Sequence, residues 1–127
     1  MTAQMNTIAV SVGSNVPQQQ EQVVACIGWL KQTLTDASAS STYCTPAVGG
    51  HGADYTNCVV IGKTAATLQD ITAQFKAYER QCGRTPECKA LGLVPIDLDV
   101  VIFNGEVVRE KDFNQIYFKI GWEELQK

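Results

Sequence analysis

Alternation of apolar and polar residues predicts β-strands along four stretches of the chain. In the first stretch, Ile8, Val10 and Val12 share one face. The second stretch gives a weaker signal because it is rich in serine and threonine, and the fourth gives the strongest. The dipeptide Asn104-Gly105 then predicts a hairpin turn into one further strand. The predicted strands are 7–12, 37–45, 55–61, 96–103 and 106–109.

Apolar residues at helical spacing predict two long helices and a short terminal one. The first helix has Pro17 in its first turn and ends near residue 35. The second begins at Thr67, which forms a capping box with Asp70, and ends at Gly83. Residues 47–54 and 84–94 are predicted to be irregular. The apolar stripes are Val23, Ile27, Leu30 and Leu34; Leu68, Ile71, Phe75 and Tyr78; and Phe113, Ile116, Tyr117 and Ile120.

This order of elements, β-α-β-β-α-β followed by an extra hairpin strand, implies an α+β fold of the ferredoxin-like class. Such a sandwich has one antiparallel sheet with helices on one face. We therefore expect a single domain over residues 1–127, with the other face of the sheet free to hold a ligand. A chain of 127 residues is long enough to bury a core without disulfides or zinc.

Composition and charge exclude several classes of protein. The net charge is −3, without the basic stripe of a nucleic-acid-binding domain. No apolar run is long enough for a membrane span, and the polar residues 1–6 do not resemble a secretory signal. Five cysteines without paired spacing indicate reduced thiols, so we expect a cytoplasmic protein. The sequence does not indicate an oligomeric state.

Asp97 and Asp99 are the first candidate site. Residues two apart on a strand point the same way, so both carboxylates share one face. Two acids in an apolar strand repel each other and need a cation, and Mg²⁺ with substrate phosphates is one solution. The alternatives are a solvated pair or a pair matched by lysine or arginine. The opposite face, expected in the core, carries Ile96, Leu98, Val100 and Ile102.

Tyr55 and Asn57 form a second candidate site, because they also share a strand face. An aromatic ring beside an amide suits a flat heterocycle, which stacks on the ring and pairs with the amide. The alternative is a half-buried tyrosine and a surface asparagine. Just before them, Thr45 and Pro46 lead into a glycine-rich loop containing Val48 and His51. That segment is either a lid or a connection without a role.

The end of the second helix and the first turn carry further polar candidates. Glu79 and Arg84 flank the helix end at Gly83, where Arg84 either binds phosphate or favours the helix dipole. Gly13-Ser14-Asn15 follows the first strand, and Gly13 allows close approach of a ligand because it lacks a Cβ. The alternative for this tripeptide is a turn that caps the next helix.

Taken in order, these segments resemble the 6-hydroxymethyl-7,8-dihydropterin pyrophosphokinases of folate biosynthesis. The resemblance runs from about residue 7 to 109. It is carried by Gly13-Ser14-Asn15, Tyr43-Cys44-Thr45-Pro46, Tyr55-Thr56-Asn57, Glu79 with Gly83-Arg84, and Asp97-Leu98-Asp99.

The resemblance implies a ferredoxin-like fold, a pterin substrate, ATP as co-substrate and two Mg²⁺ ions. The pterin hydroxymethyl group then attacks the β-phosphorus of ATP and AMP leaves. By position, Asp97 and Asp99 hold the metals, and Arg84, with Glu79 beside it, faces ATP. The implied pterin pocket consists of Thr45, Pro46, Val48, Tyr55 and Asn57.

The chain departs from the family pattern at positively charged positions. Val94 and Pro86 stand where the family has basic residues, and the family's later segment has no clear counterpart in the sequence. Lys89, Lys111 and Lys119 are the available substitutes. The resemblance therefore predicts an ATP-dependent pyrophosphokinase. The alternatives are a homologue that binds pterin or nucleotide without catalysis, and a sandwich used only for assembly.

Overall fold

A six-stranded antiparallel sheet forms the centre of the protein. The computed structural model describes residues 4–50 and 52–127, so His51 lies outside the described residues. The strands are β1 (Asn6–Ser14), β2 (Thr35–Ala39), β3 (Tyr43–Thr45), β4 (Tyr55–Thr64), β5 (Asp97–Phe103) and β6 (Glu106–Val107). The helices are α1 (Gln19–Thr33), α2 (Leu68–Gln81), α3 (Pro86–Ala90), α4 (Glu110–Phe113) and α5 (Ile116–Leu125), with a 3₁₀ turn at Val48–Gly50.

The strand order is β2-β4-β1-β5-β6, and β3 pairs with β4 beyond β2. This mixed fold with its antiparallel sheet confirms the predicted ferredoxin-like class. The single strand predicted over 37–45 is in fact two, β2 and β3. Ser40 lies in the break, where its hydroxyl accepts a hydrogen bond from the Val59 N–H at 2.9 Å. A side chain thus replaces one backbone partner of the sheet.

The first face of the sheet carries the main core, as the alternation predicts. Ile8, Val10 and Val12 of β1 pack there, together with the apolar stripes of α1 and α2. Helix α2 begins as expected, because the Thr67 hydroxyl accepts a hydrogen bond from the Asp70 N–H at 3.1 Å. Trp29 stacks on Tyr78 with ring centroids 4.4 Å apart, which joins the two helices.

The second face is not free, which corrects the expectation that all helices lie on one side. Helix α5 packs on it through Phe118, which is fully buried against Ala9, Val59 and Val101. Tyr43 fixes the position of α5, because its hydroxyl donates to the Tyr117 carbonyl at 2.6 Å. It also accepts from the Gly121 N–H at 3.0 Å. The end of this face that carries Gly13, Asn57 and Asp97 is open.

A β-bulge corrects the prediction for Ile102. Val10 pairs with Val100, but Ala9 pairs with Ile102, so Val101 is an extra residue in β5. The alternation reverses there, and Ile102 packs on the second face instead of in the main core. Bulges cannot be inferred from a regular apolar pattern, since they depend on how two strands pair.

Residues 84–94 were predicted to be irregular, and this is also wrong in part, because α3 forms within them. Thr85 caps α3 by accepting a hydrogen bond from the Cys88 N–H at 3.3 Å, and Pro86 occupies the first turn. The hairpin strand predicted over 106–109 is limited to β6. None of the helices in the described part of the chain combines the length and apolar character that a bilayer span requires.

Candidate active site

Three adjacent strands place polar side chains in rows at the open end of the second face. Gly13 of β1 pairs with Asn57 on one side and with Asp97 on the other. The next row on the same face consists of Val59, Ser11 and Asp99. The outer strands of such a row are about 10 Å apart, so bare Gly13 leaves room between the amide and the carboxylate.

A cleft of about 960 Å³ opens over this row. Its floor includes Gly13, Asn57 and Asp97. One wall comes from the segment after β3, with Thr45, Pro46 and Val48, and the opposite wall comes from 84–94. The structure thus brings most of the predicted ligand-binding residues to one cleft. Glu79 and Asp99 lie beside it and are buried.

The amide side of the cleft is held by hydrogen bonds among the predicted residues. The Asn57 side chain donates to the Thr45 hydroxyl at 2.7 Å, and both residues are buried. Gly13 is required here because a Cβ on it would lie 2.9 Å from Asn57 Oδ1 and 3.5 Å from the Tyr55 ring. Partial burial raises the pKa of the Tyr55 hydroxyl, which therefore stays protonated at neutral pH.

The acidic side of the cleft contains a third carboxylate besides the predicted pair. Oxygen atoms of Glu79, Asp97 and Asp99 lie within 4.8 Å of one another. Glu79 reaches this place from α2, and its Oε2 accepts a hydrogen bond from the Leu98 N–H at 2.8 Å. That bond gives a partner to a backbone N–H on the edge of β5. Three convergent carboxylates match the hard oxygen ligands that Mg²⁺ prefers.

Basic side chains of the protein itself neutralise these acids. Arg84 Nη1 lies 3.0 Å from Asp97 Oδ1 and 3.0 Å from Glu79 Oε2. Lys76 Nζ lies 3.4 Å from Asp99 Oδ1 and 3.3 Å from Glu79 Oε1, and Arg109 Nη1 lies 3.8 Å from Asp99 Oδ1. Of the alternatives weighed for the acidic pair, the matched pair is the arrangement that this structure shows.

The pKa of Asp99 is shifted by its burial and by the neighbouring carboxylate. Burial, followed by the nearby charge of Asp97, raises the pKa of Asp99 to about 6, although Lys76 and Arg109 oppose the shift. The pKa of Arg84 is also raised, because the hydrogen bond and charge of Asp97 outweigh the opposing effect of partial burial. The guanidinium therefore remains charged at all relevant pH values.

Gly13-Ser14-Asn15 has a structural role in addition to the place of Gly13 in the floor of the cleft. The Asn15 Oδ1 accepts from the Val94 N–H at 2.6 Å, and its Nδ2 donates to the Gly92 carbonyl at 2.9 Å. The Ser14 hydroxyl donates to the Val94 carbonyl at 3.3 Å. The tripeptide thus fixes the wall of the cleft that faces Thr45.

The three lysines predicted as substitutes for the missing basic residues lie in different places in the structure. Pro86 and Val94 line the cleft, and so does Lys89, one turn after Pro86 on α3. Lys119 instead lies over the Phe113 ring, 3.8 Å from its centroid. Lys111 is exposed on α4. Lys89 is therefore the one of these three lysines that the structure places at the cleft.

Sequence reasoning missed a polar chain that links α5 to the acids. Tyr117 lines the cleft and donates its hydroxyl to Asp112, which also pairs with Arg109. Arg109 in turn lies beside Asp99. The only signal in the sequence was the i,i+3 spacing of Arg109 and Asp112, which is common on helix surfaces. Lys76 was missed for the same reason.

A family model and a protein of known name both match this chain. Residues 9–126 match the family model described as 7,8-dihydro-6-hydroxymethylpterin-pyrophosphokinase, so the match continues through α4 and α5. The 2-amino-4-hydroxy-6-hydroxymethyldihydropteridine pyrophosphokinase of Aquifex aeolicus (strain VF5) is 29% identical over 108 residues. Those residues cover 84% of this chain and 67% of the relative.

Proposed function

The chain belongs to the 7,8-dihydro-6-hydroxymethylpterin-pyrophosphokinase family, and from this premise we propose that it transfers pyrophosphate from ATP to 6-hydroxymethyl-7,8-dihydropterin. The observation that supports the proposal is the row Asn57–Gly13–Asp97, in which an amide that would pair with a heterocycle and a carboxylate that would hold a metal lie on either side of Gly13. The cleft of about 960 Å³ is within the size range that is typical of small-molecule sites.

The amide side of the cleft would hold the pterin. The Asn57 amide would pair with the polar edge of the ring, as would Thr45, whose hydroxyl hydrogen is free to donate while its oxygen accepts from Asn57. Tyr55 offers an aromatic surface beside them, and Pro46 and exposed Val48 would cover the ring from the loop. Apolar cover excludes water from a largely flat ligand.

The acidic side would hold Mg²⁺ through Asp97 and Asp99, with two ions expected from the family resemblance. Bound Mg²⁺ would neutralise phosphate charge and orient the triphosphate for in-line transfer. Arg84 would bind phosphate oxygens, and Lys89 would provide a second positive charge from the same wall. Glu79 would act as a positioning residue, since it holds both Arg84 and the β5 edge.

The chemical step needs positioning more than a reactive side chain. The hydroxymethyl oxygen of the pterin attacks the β-phosphorus of ATP, and the bond from that phosphorus to the oxygen bridging to the α-phosphate breaks. AMP leaves with the bridging oxygen, and the hydroxyl proton passes to solvent. The residues on the floor and walls hold the two substrates in line, which is where catalysis of phosphoryl transfer mostly arises.

The test is AMP formation from ATP, Mg²⁺ and hydroxymethyl-dihydropterin, separated by chromatography. We expect AMP in proportion to enzyme, and a loss of about a hundredfold or more in Asp97→Asn because one metal ligand is removed. Glu123→Gln, an exposed acid on α5, is the matched control and should keep the wild-type rate. The absence of AMP at high enzyme concentration would refute the proposed activity.

A second function is supported by Val94 and Pro86, which line the cleft where the family has basic residues. The chain would then bind a pterin without using ATP. The two proposed functions are distinguished by titration calorimetry with a pterin and, in a second experiment, with a non-hydrolysable ATP analogue and Mg²⁺. Nucleotide binding that requires Mg²⁺ favours the kinase, while pterin binding alone favours the binding protein.

The cysteines bear on the cellular compartment of the protein, which is part of this proposal. All five cysteines are free thiols, with Cys26 and Cys58 buried. Burial raises the pKa of the Cys58 thiol to about 12, so this group is unreactive at neutral pH. We propose a reducing, cytoplasmic compartment in which small pterins and ATP are the partners.

A further inference from the structure

Arg84 occupies the place between two of the three convergent carboxylates. Its Nη1 lies 3.0 Å from both Asp97 Oδ1 and Glu79 Oε2, and it also donates to the Ile96 carbonyl at 3.3 Å. One carboxylate oxygen from each of the three acids lies within 4.8 Å of the other two, so a divalent cation bound among them would share two of its carboxylate partners with Arg84. A guanidinium and a divalent cation therefore compete for one position.

Charge balance makes this competition strong. The acidic group carries three negative charges on Glu79, Asp97 and Asp99, and its basic partners are Lys76, Arg84 and Arg109, the last of which is shared with Asp112. With all three basic groups in place, most of the negative charge of the acids is offset. A divalent cation that binds alone must then add its charge to a site whose attraction for cations is already reduced, which weakens its affinity.

Of the three cations, Arg84 is the one that lines the cleft, although the side chains of Lys76 and Arg109 are more exposed. Its side chain can therefore turn toward a ligand, while its backbone is held because its N–H donates to the Glu79 carbonyl at 3.2 Å. After departure of the guanidinium, Glu79 keeps Lys76 and the Leu98 N–H as partners. Asp97, with 43% of its side chain exposed, loses its one ion-pair partner within the described residues.

We propose that Arg84 is a removable counter-ion that holds Asp97 until a metal–nucleotide complex arrives, and then moves to the phosphates. This inference rests on the proposed function, since it takes the ligand to be a polyphosphate with a divalent cation. The exchange requires only rotation of one side chain. The incoming cation replaces Arg84 on Asp97, and the phosphate oxygens replace Asp97 as the partner of the guanidinium.

The exchange couples the two ligands. A metal ion that binds alone must displace Arg84 without offering it a new partner. A nucleotide that binds alone finds Arg84 still paired with Asp97 and Glu79. Together each ligand removes the obstacle to the other, so they bind with positive cooperativity. The metal-free protein thus leaves its carboxylates guarded against stray divalent cations while remaining ready for the metal–nucleotide complex.

The test measures Mn²⁺ binding to the whole protein by electron paramagnetic resonance, which reports free Mn²⁺ directly. Arg84→Met keeps the apolar stem but removes the charge, and we expect it to bind Mn²⁺ alone at least about fivefold more tightly than wild type. Arg80→Met is the matched control, because Arg80 is exposed on α2 and forms no ion pair within the described residues. Unchanged or weaker Mn²⁺ binding by Arg84→Met would overturn the proposal.

A second measurement on the wild-type protein avoids any folding defect of the variant. The Nε–Hε resonance of Arg84 is followed by NMR while Mg²⁺ and a non-hydrolysable ATP analogue are added, singly and together. We expect a large shift only with both ligands, and a shift that saturates with nucleotide. A resonance that does not move with both ligands bound would refute the exchange.

These outcomes separate this inference from the proposed function. If the nucleotide fails to bind wild type even with Mg²⁺, the kinase proposal fails, and the Mn²⁺ comparison still decides whether Arg84 guards the acids. If nucleotide and Mg²⁺ bind but Arg84→Met gains no affinity for Mn²⁺, the kinase proposal stands and the counter-ion role of Arg84 fails.

Discussion

The second face of the sheet has two halves built from the same three strands, β1, β4 and β5. At one end, the row of Asn57, Gly13 and Asp97 lies open beneath the cleft. At the other end, the row of Ile61, Ala9 and Ile102 is apolar, and α5 packs on this half. The row between them, with Val59, Ser11 and Asp99, belongs to both halves.

The difference shows that strand periodicity decides which face a side chain occupies but not what that face does. The apolar half gains stability because α5 removes it from water. The polar half stays open as a cleft and keeps charged groups, whose partial burial costs stability. A single helix that covers half of one face thus divides a continuous surface into a core and a candidate site.

The largest expected effect on stability comes from a substitution in the apolar half. Phe118→Ala removes a fully buried ring beneath α5, and we expect it to lower the free energy of unfolding by about 3–5 kcal/mol. Urea unfolding followed by circular dichroism measures this loss. Ile120→Ala, on the same helix but 40% exposed, should cost less than about 1 kcal/mol. Equal effects of the two changes would mean that α5 does not cover the sheet as described.

A smaller effect is expected from a substitution that narrows the cleft in the polar half. Gly13→Ala places a methyl group 2.9 Å from Asn57 Oδ1, so Asn57 must shift and the floor of the cleft narrows. We expect a loss of stability of about 1–3 kcal/mol and weaker pterin binding, measured by urea unfolding and calorimetry.

Gly28→Ala is the matched control, because a Cβ at this helical position meets nothing within 4 Å. It should raise the free energy of unfolding by about 0.5–1 kcal/mol and leave pterin affinity unchanged. Wild-type pterin affinity in Gly13→Ala would show that the ligand does not lie over the Asn57–Gly13–Asp97 row.

The smallest effect concerns the shared row and depends on pH. The pKa of Asp99 is raised from 3.8 to about 6 by folding, so the folded protein holds its proton more tightly than the unfolded chain. Stability therefore falls as pH rises from about 4 to 6 and stays lower above that range. In chelator, Asp99→Asn should be more stable than wild type by an order of 1–2 kcal/mol at pH 8 and equal to it near pH 3.5.

Thermal unfolding at several pH values measures this difference, and Asp54→Asn, which replaces an exposed acid, should show none of it. The same Asp99→Asn variant should lose Mg²⁺-dependent nucleotide binding, since one proposed metal ligand is gone. A variant less stable than wild type at pH 8 would mean that Lys76 and Arg109 stabilise ionised Asp99 more than burial and Asp97 destabilise it.

Local features of the sequence predicted most of the fold. The capping pair Thr67 and Asp70 defined the start of α2, and Asn104-Gly105 defined the hairpin after β5. Asp97 and Asp99 were correctly placed on one face, because alternation along a strand is fixed by its backbone. Each of these predictions depends on residues within a few positions of one another.

The predictions that failed depended on contacts between distant segments. The bulge at Val101 reversed the face of Ile102, and the packing of α5 closed half of the expected open face. Pairing between strands and docking of a helix are set by the whole chain, so a local pattern does not contain them. Helix α3 is different, because its Thr85 cap and Pro86 were visible in the sequence.

The sequence by itself determined which residues can carry the chemistry and which strand faces they occupy, because hydrophobic periodicity and residue type are local properties. Only the tertiary structure decided how the charges are matched. It brought Lys76 of α2 to Asp99, Arg84 to Asp97 and Glu79, and Arg109 from beyond the hairpin to the same group. Electrostatic interactions act through space and not along the chain, so their partners are known only when the fold is complete.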